Sequence, residues 1–232
     1  MIEVIASVLP FRTYEELKNK ISSLRGVVST IQIDFCDGIF VPSQTWPFTS
    51  GGFDDYNFQK IINEEEGLPS WQEFDFELDL MVANAVENFD TYMKLGAKRI
   101  IFHVEAIDNL EDFRNFLEGI DLYVRDIVQI GIAFNPGTVL ENIFPLISCV
   151  DFVQCMGNDK IGISGISLDE KVYDIIKLLR KKYSSLPIEV DIGITEETAP
   201  LLVEAGATKL ITGSLLFKSY DKIGLIERFR NL

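Results

Sequence analysis

With 232 residues the chain is long enough for one sizeable core, and 47% hydrophobic with 25% charged residues is the balance of an ordinary globular protein, which excludes extended disorder. Counting 21 Lys and Arg against 36 Asp and Glu gives a formal charge of -15. That field repels nucleic acid and anionic membranes, so neither is an expected partner, and no apolar run approaches the roughly 18 to 20 residues of a membrane span.

Short runs rich in β-branched and aromatic residues recur along the chain at Ile2–Leu9, Thr30–Phe35, Phe74–Val82, Arg99–Val104, Ile127–Phe134, Val150–Cys155, Ile188–Ile192 and Lys209–Thr212. Stretches of helical period lie between most of them, at Tyr14–Leu24, Ala85–Lys94, Leu110–Leu117, Val139–Ile147, Leu168–Tyr183 and Glu196–Ala205. The segment Val41–Trp71 is less regular and reads as a long loop followed by a helix over Tyr56–Glu66. Near-continuously apolar strands alternating with helices imply a parallel sheet buried on both faces. A doubly wound open sheet shares that local signature, but neither GxGxxG nor GxxxxGK[ST] occurs. The expected fold is therefore an α/β (β/α)8 barrel, a TIM barrel, as one domain over residues 1–232.

Cys36, Cys149 and Cys155 form no CxxC pair, and the amino terminus shows no basic-then-apolar leader; a reducing cytoplasm is the expected compartment. His103 is the one histidine, so a metal would rest mainly on oxygen ligands.

In such barrels, polar residues at the carboxyl ends of apolar strands face the site. The second strand runs out through Gln32 and Asp34, the third through Glu77 and Asp79, the fourth through His103 and Glu105, and the seventh through Glu189 and Asp191. Gln32, Asp34, Asp79 and Asp191 taken together predict a divalent ion, because carboxylates buried side by side need a cation or hydrogen-bond donors. His103 and Glu105 can serve as acid and base or be satisfied structural residues. Asn135 to Thr138 reads as a strand-to-helix turn capped by Asn135 or Thr138. Gly193 and the pair Gly213 and Ser214, after the last two strands, form an expected phosphate cradle. No strand end carries a lysine, and Lys160 falls in a loop, which argues against a Schiff-base aldolase.

The chain resembles the ribulose-phosphate 3-epimerases nearly end to end. Ile5-Ala6-Ser7-Val8-Leu9 resembles their opening strand, and Asp34-Phe35-Cys36-Asp37-Gly38-Ile39-Phe40-Val41-Pro42-Ser43 their D-x-M-D-G-x-F-V-P-N signature. Leu80-Met81-Val82, Phe102-His103-Val104-Glu105-Ala106, Gly131 to Pro136, Glu189-Val190-Asp191 and Gly213-Ser214 follow in family order. The resemblance implies proton abstraction and return at carbon 3 of a ketopentose phosphate by Asp34 and Asp191, with a divalent metal stabilising the enediolate. It also implies a small phosphorylated sugar as partner, and a homo-oligomer as a possible assembly.

The departures fall at the metal. Gln32 and Asp79 stand where the family pattern has histidines, leaving an all-oxygen set suited to Mg²⁺, Mn²⁺ or Ca²⁺ rather than zinc or iron. The alternatives are a barrel without the ion that binds a phosphosugar silently, or an isomerase of another ketose phosphate. Ser7 and Met156 match family substrate positions, while the P-G-F-G-G-Q lid becomes Ile161 to Ile166, with Gly162 and Gly165 as its glycines.

Overall fold

In the computed structural model, which describes residues 1–232, eight parallel strands close in sequence order into a barrel. They are β1 (Glu3–Ser7), β2 (Thr30–Cys36), β3 (Asp75–Met81), β4 (Arg99–His103), β5 (Gln129–Phe134), β6 (Phe152–Met156), β7 (Ile188–Asp191) and β8 (Lys209–Thr212). The helices are α1 (Tyr14–Ser22), α2 (Tyr56–Ile62), α3 (Phe89–Met93), α4 (Leu110–Gly119), α5 (Leu122–Ile127), α6 (Leu140–Ile143), α7 (Lys171–Lys182), α8 (Thr198–Ala205), α9 (Ser214–Lys218) and α10 (Lys222–Arg230). The (β/α)8 architecture expected from the alternation of strands and helices is what the chain adopts. No helix is long and apolar enough to cross a membrane.

Local chemistry sets the helix starts. Thr13 accepts from the Glu16 N–H and the Glu16 carboxylate accepts from the Arg12 N–H, a variant of the capping box in which the return bond lands one residue early. Asp55 caps α2, Asn109 caps α4 and Asp221 caps α10 in the same way. Several helices are shorter than their period implies. The Val139–Ile147 stretch divides into α6 and a 3-10 turn at Ile147–Cys149, with Pro145 between them unable to continue an α-helix. α2 ends at Ile62, and the positive φ of 61° at Glu64 marks the break. Ile127, read as the start of the fifth strand, instead closes α5.

The long β2–β3 connection does not fold over the barrel mouth. Its aromatic residues turn it down against the outside of the sheet. Trp46 is fully buried, donates its indole N–H to Asp55 at 2.9 Å, and packs on Tyr14 and Phe58. Phe48 and Phe53 meet Phe35 and Tyr92. Only the beginning of the connection stays near the mouth, where Ser43 Oγ donates to the Gly162 carbonyl at 2.6 Å.

Side chains facing into the barrel form layers. At the amino end lie Glu3, Glu77, Arg99, Glu189 and Lys209. Arg99 donates to Glu3 at 2.8 Å and to Glu77 at 3.2 Å, and Lys209 donates to Glu189 at 2.5 Å. Glu77 and Glu189, which the alternation of β3 and β7 places on the site-facing rows, are thus held at the opposite end from Asp79 and Asp191. Burial and the neighbouring Glu189 push Glu77 well above the usual carboxylate range, and Arg99 opposes them.

Ionised Glu77 therefore weighs against the fold increasingly as pH rises, and Arg99 offsets that cost. Arg99→Met should destabilise the protein by about 3–5 kcal/mol at pH 7, since it strands buried carboxylates. The loss should shrink as pH falls and Glu77 takes up a proton. Urea unfolding at a series of pH values reads this directly, and an equal loss at every pH would contradict it.

Candidate active site

The carboxyl end of the barrel gathers Asp34 from β2, Asp79 from β3 and Asp191 from β7. One carboxylate oxygen of each lies within 4.8 Å of the others. Asp34 and Asp79 sit side by side in the β2–β3 register. Asp191 arrives from across the barrel, since β1 and β8 stand between β2 and β7.

Hydrogen bonds hold each carboxylate. Asp34 accepts from Ser7 Oγ at 2.7 Å on Oδ2 and from Gln32 Nε2 at 2.8 Å on Oδ1. The same Gln32 amide reaches Asp191 Oδ2 at 3.3 Å, and the Ile192 N–H donates to Asp191 Oδ1 at 2.7 Å. Asp79 accepts from His103 Nε2 at 2.7 Å on Oδ1 and from Gln154 Nε2 at 3.3 Å on Oδ2. These donors do not cancel the cost of burial. Desolvation and then Asp79 raise Asp34 to about 7, while desolvation, Asp34 and Asp79 hold Asp191 well above the usual range. Burial disfavours a charged His103, but the Asp79 carboxylate outweighs it and raises the imidazole.

The backbone behind Asp191 is strained. Ile192 has φ 75°, uncommon for a β-branched residue. Gly157 fits beneath it: a Cβ there would lie 2.0 Å from the Ile192 carbonyl oxygen, and the Gly157 N–H donates to the Asp191 carbonyl at 2.6 Å. Gly193 follows at φ 77°, where any side chain would strike the Leu168 backbone at 2.5 Å. The chain thus leaves β7 through a turn that only close backbone packing allows, and this turn aims Asp191 inward.

A narrow cavity of about 50 Å³ opens above the aspartates. Ser7, Asp34 and Asp191 line one part, Gly193, Thr212, Gly213 and Ser214 another, and the segment Gly162 to Ile166 forms a wall. Expected substrate positions Ser7, Gly162, Gly165, Gly193, Gly213 and Ser214 thus share one cavity with both aspartates. Met156 does not line it; it is buried with Cys36, Val41 and Met81 below. Gln32 and Asp79 are also fully buried beneath the floor. Glu105 lies outside the site, accepting from the Asn135 N–H at 2.8 Å and from the Thr138 hydroxyl. That carboxylate, rather than Asn135 or Thr138, ties down the turn, because neither side chain caps α6.

Two site residues escaped the sequence reading. Thr212 is buried with its hydroxyl unpartnered, on the cavity wall. Gln154 bonds Asp79 from the inner row of β6; an amide inside an otherwise apolar strand, two residues before Met156, was the available signal.

The donor set fits a hard cation. Oxygens bound at about 2.1–2.6 Å lie at most about 4–5 Å apart, as these do. Gln32 Oε1, buried beside them, has no hydrogen-bond partner.

Comparison with known proteins agrees with this arrangement. The sequence pattern of the ribulose-phosphate 3-epimerase family matches residues 3–217. The ribulose-phosphate 3-epimerase of Chlamydia muridarum is 33% identical over 204 residues, covering 85% of this chain and 80% of that one. That of Bacillus subtilis is 29% identical over 236 residues, covering 99% of both. Among solved structures, KGPDC from Streptococcus mutans, in complex with a ribose phosphate, superposes with a TM-score of 0.67 at 13% identity, covering 99% of this chain and 96% of that one. The 3-hexulose-6-phosphate synthase of Salmonella typhimurium does so at 0.66 and 14%, covering 100% and 97%. At that identity the two structures speak to the fold alone, whereas the family pattern and the two epimerases span most of the sequence, aspartates included. The chain belongs to the ribulose-phosphate 3-epimerase family.

Proposed function

We propose that this chain, one barrel domain over residues 1–232, is an isomerase that inverts carbon 3 of a ketopentose phosphate. Asp34 and Asp191 would be its proton-transferring pair. The observation that carries this reading is the convergence of the two carboxylates, from opposite sides of the barrel, on one cavity whose far wall is the backbone of Gly193, Gly213 and Ser214. Inversion through a planar enediolate requires one group on each face of the sugar, and this placement supplies them. One aspartate takes the proton beside the carbonyl, and the other returns a proton from the opposite side. A carboxyl raised to about 7, as Asp34 is, matches the basicity that general acid–base transfer needs near neutrality.

Asp34, Asp79, Asp191 and the Gln32 amide oxygen would hold a divalent cation. When bound, it supplies Lewis-acid stabilisation for the oxygens of the enediolate. The four oxygen donors favour Mg²⁺, Mn²⁺ or Ca²⁺ over zinc or iron. Ser7 and Gln32 orient Asp34, the Ile192 N–H orients Asp191, and the glycine turns receive the phosphate at a distance from the carboxylates. Those turns matter because the formal charge of -15 works against an anionic substrate until local donors take over. KGPDC, a likeness in fold, was solved with a ribose phosphate, in keeping with a phosphosugar ligand here. Three free, buried cysteines agree with a reducing cytoplasm.

A second reading has one observation in its favour. Gln32 turns its NH₂ toward Asp34 and Asp191, which compensates two carboxylates with no ion at all. In that form the barrel would bind a phosphosugar silently. Rotating the amide by half a turn presents Oε1 instead, so metal content separates the readings: near-stoichiometric Mg²⁺ or Mn²⁺ in the purified protein supports the enzyme.

With Mg²⁺ or Mn²⁺ present, solvent deuterium should enter carbon 3 of ribulose 5-phosphate or a related ketose phosphate, and Asp34→Asn and Asp191→Asn should each lower turnover by about 100- to 10,000-fold. Mass spectrometry of the recovered sugar checks this; no deuterium in any of a panel of ketose phosphates would refute the epimerase. Separately, Gln32→His combined with Asp79→His should raise zinc affinity, as measured by competition with a chromophoric chelator. An unchanged affinity would count against these positions as metal ligands.

A further inference from the structure

We infer that Gln154 is a positioning residue that, with His103, fixes the Asp79 carboxylate for divalent-cation binding; the inference rests on the metal reading above. The inward row of β6 runs Phe152, Gln154, Met156, and Gln154 is fully buried between two apolar neighbours. Its position opposes Ala133 on β5 and Glu189 on β7 in the register. An amide there needs a reason. It finds one strong partner: Nε2 donates to Asp79 Oδ2 at 3.3 Å and otherwise meets only the thioether of Met156, a poor acceptor, at 3.3 Å. Its Oε1 has no partner at all. A residue kept for packing would not leave a buried acceptor unpaired, a cost of about 1–3 kcal/mol.

Asp79 gains a definite geometry from the arrangement. His103 Nε2 at 2.7 Å holds Oδ1, which by itself leaves the carboxylate free to pivot about that bond. Gln154 holds Oδ2, so both oxygens are anchored from the β4–β6 side and their remaining lone pairs face Asp34 and Asp191. Anchoring matters here because the neighbouring carboxylates repel Asp79 and would drive it away from the shared point. Groups that orient a ligand from behind usually change metal affinity about 10- to 100-fold when removed.

The test is Mn²⁺ binding, followed by electron paramagnetic resonance of the free ion, with the wild type, Gln154→Leu, and Gln154→Met as a second variant of similar length should the first fold poorly. Thermal melting is recorded alongside. The expected result is Mn²⁺ affinity weakened about ten-fold or more in a folded variant, with kcat restored in part at high Mn²⁺. Unchanged or tighter Mn²⁺ binding, with only the melting temperature lowered, would reduce Gln154 to a structural role and overturn the inference. If the wild type itself binds no Mn²⁺, the metal reading fails first and this inference falls with it, an outcome distinct from wild-type binding that the variants share.

Discussion

Asp34, Asp79 and Asp191 repel one another at a point from which water is largely excluded, and most of the polar architecture of the upper barrel answers that repulsion. Ser7, Gln32, His103, Gln154 and the Ile192 N–H each donate to one of the three carboxylates. Neutral donors and one imidazole reduce the repulsion without removing it, which is why Asp34 and Asp191 remain shifted upward. A site in this condition attracts protons or a cation. Both are what an enzyme that moves a proton beside a carbonyl must handle.

The barrel carries a second buried cluster at its other end, with a different solution. There Glu3, Glu77 and Glu189 face Arg99 and Lys209, so full charges meet full charges. That end is closed and satisfied as far as two cations and three carboxylates allow. The mouth is left without a lysine or arginine among its donors. The asymmetry separates stability from chemistry along the barrel axis: carboxylates paired with cations brace the amino end, and carboxylates awaiting a cation or proton form the site.

Strain is placed where aim matters. The left-handed Ile192, the close fit of Gly157 beneath it and the required glycine at 193 make a costly turn, and it belongs to the strand that sends Asp191 across the barrel toward Asp34. The β2–β3 connection follows the opposite logic. Its length implied a cover for the site, yet Trp46, Phe48, Phe53 and Phe58 bury more surface against the outer face of the sheet than they could over an open mouth.

Much was legible in the residues alone. Alternation of apolar strands with helical periods is a local property, and it determined the parallel barrel; the ordered run of family motifs determined the lineage, and the positions of Gln32, Asp34, Asp79 and Asp191 at strand ends marked the site. Local pattern could not say which end of a strand a side chain occupies when two acidic residues share a face. Glu77 and Asp79 read alike, and only the stagger of neighbouring strands set one against Arg99 and the other against His103. Nor could it find Gln154, 75 positions from Asp79 in the chain, because the contact exists only once β3 and β6 face each other across a closed barrel. The sequence by itself determined the scaffold and the acidic residues; closure of the barrel decided which donors meet them, because distances across its interior depend on all eight strands at once.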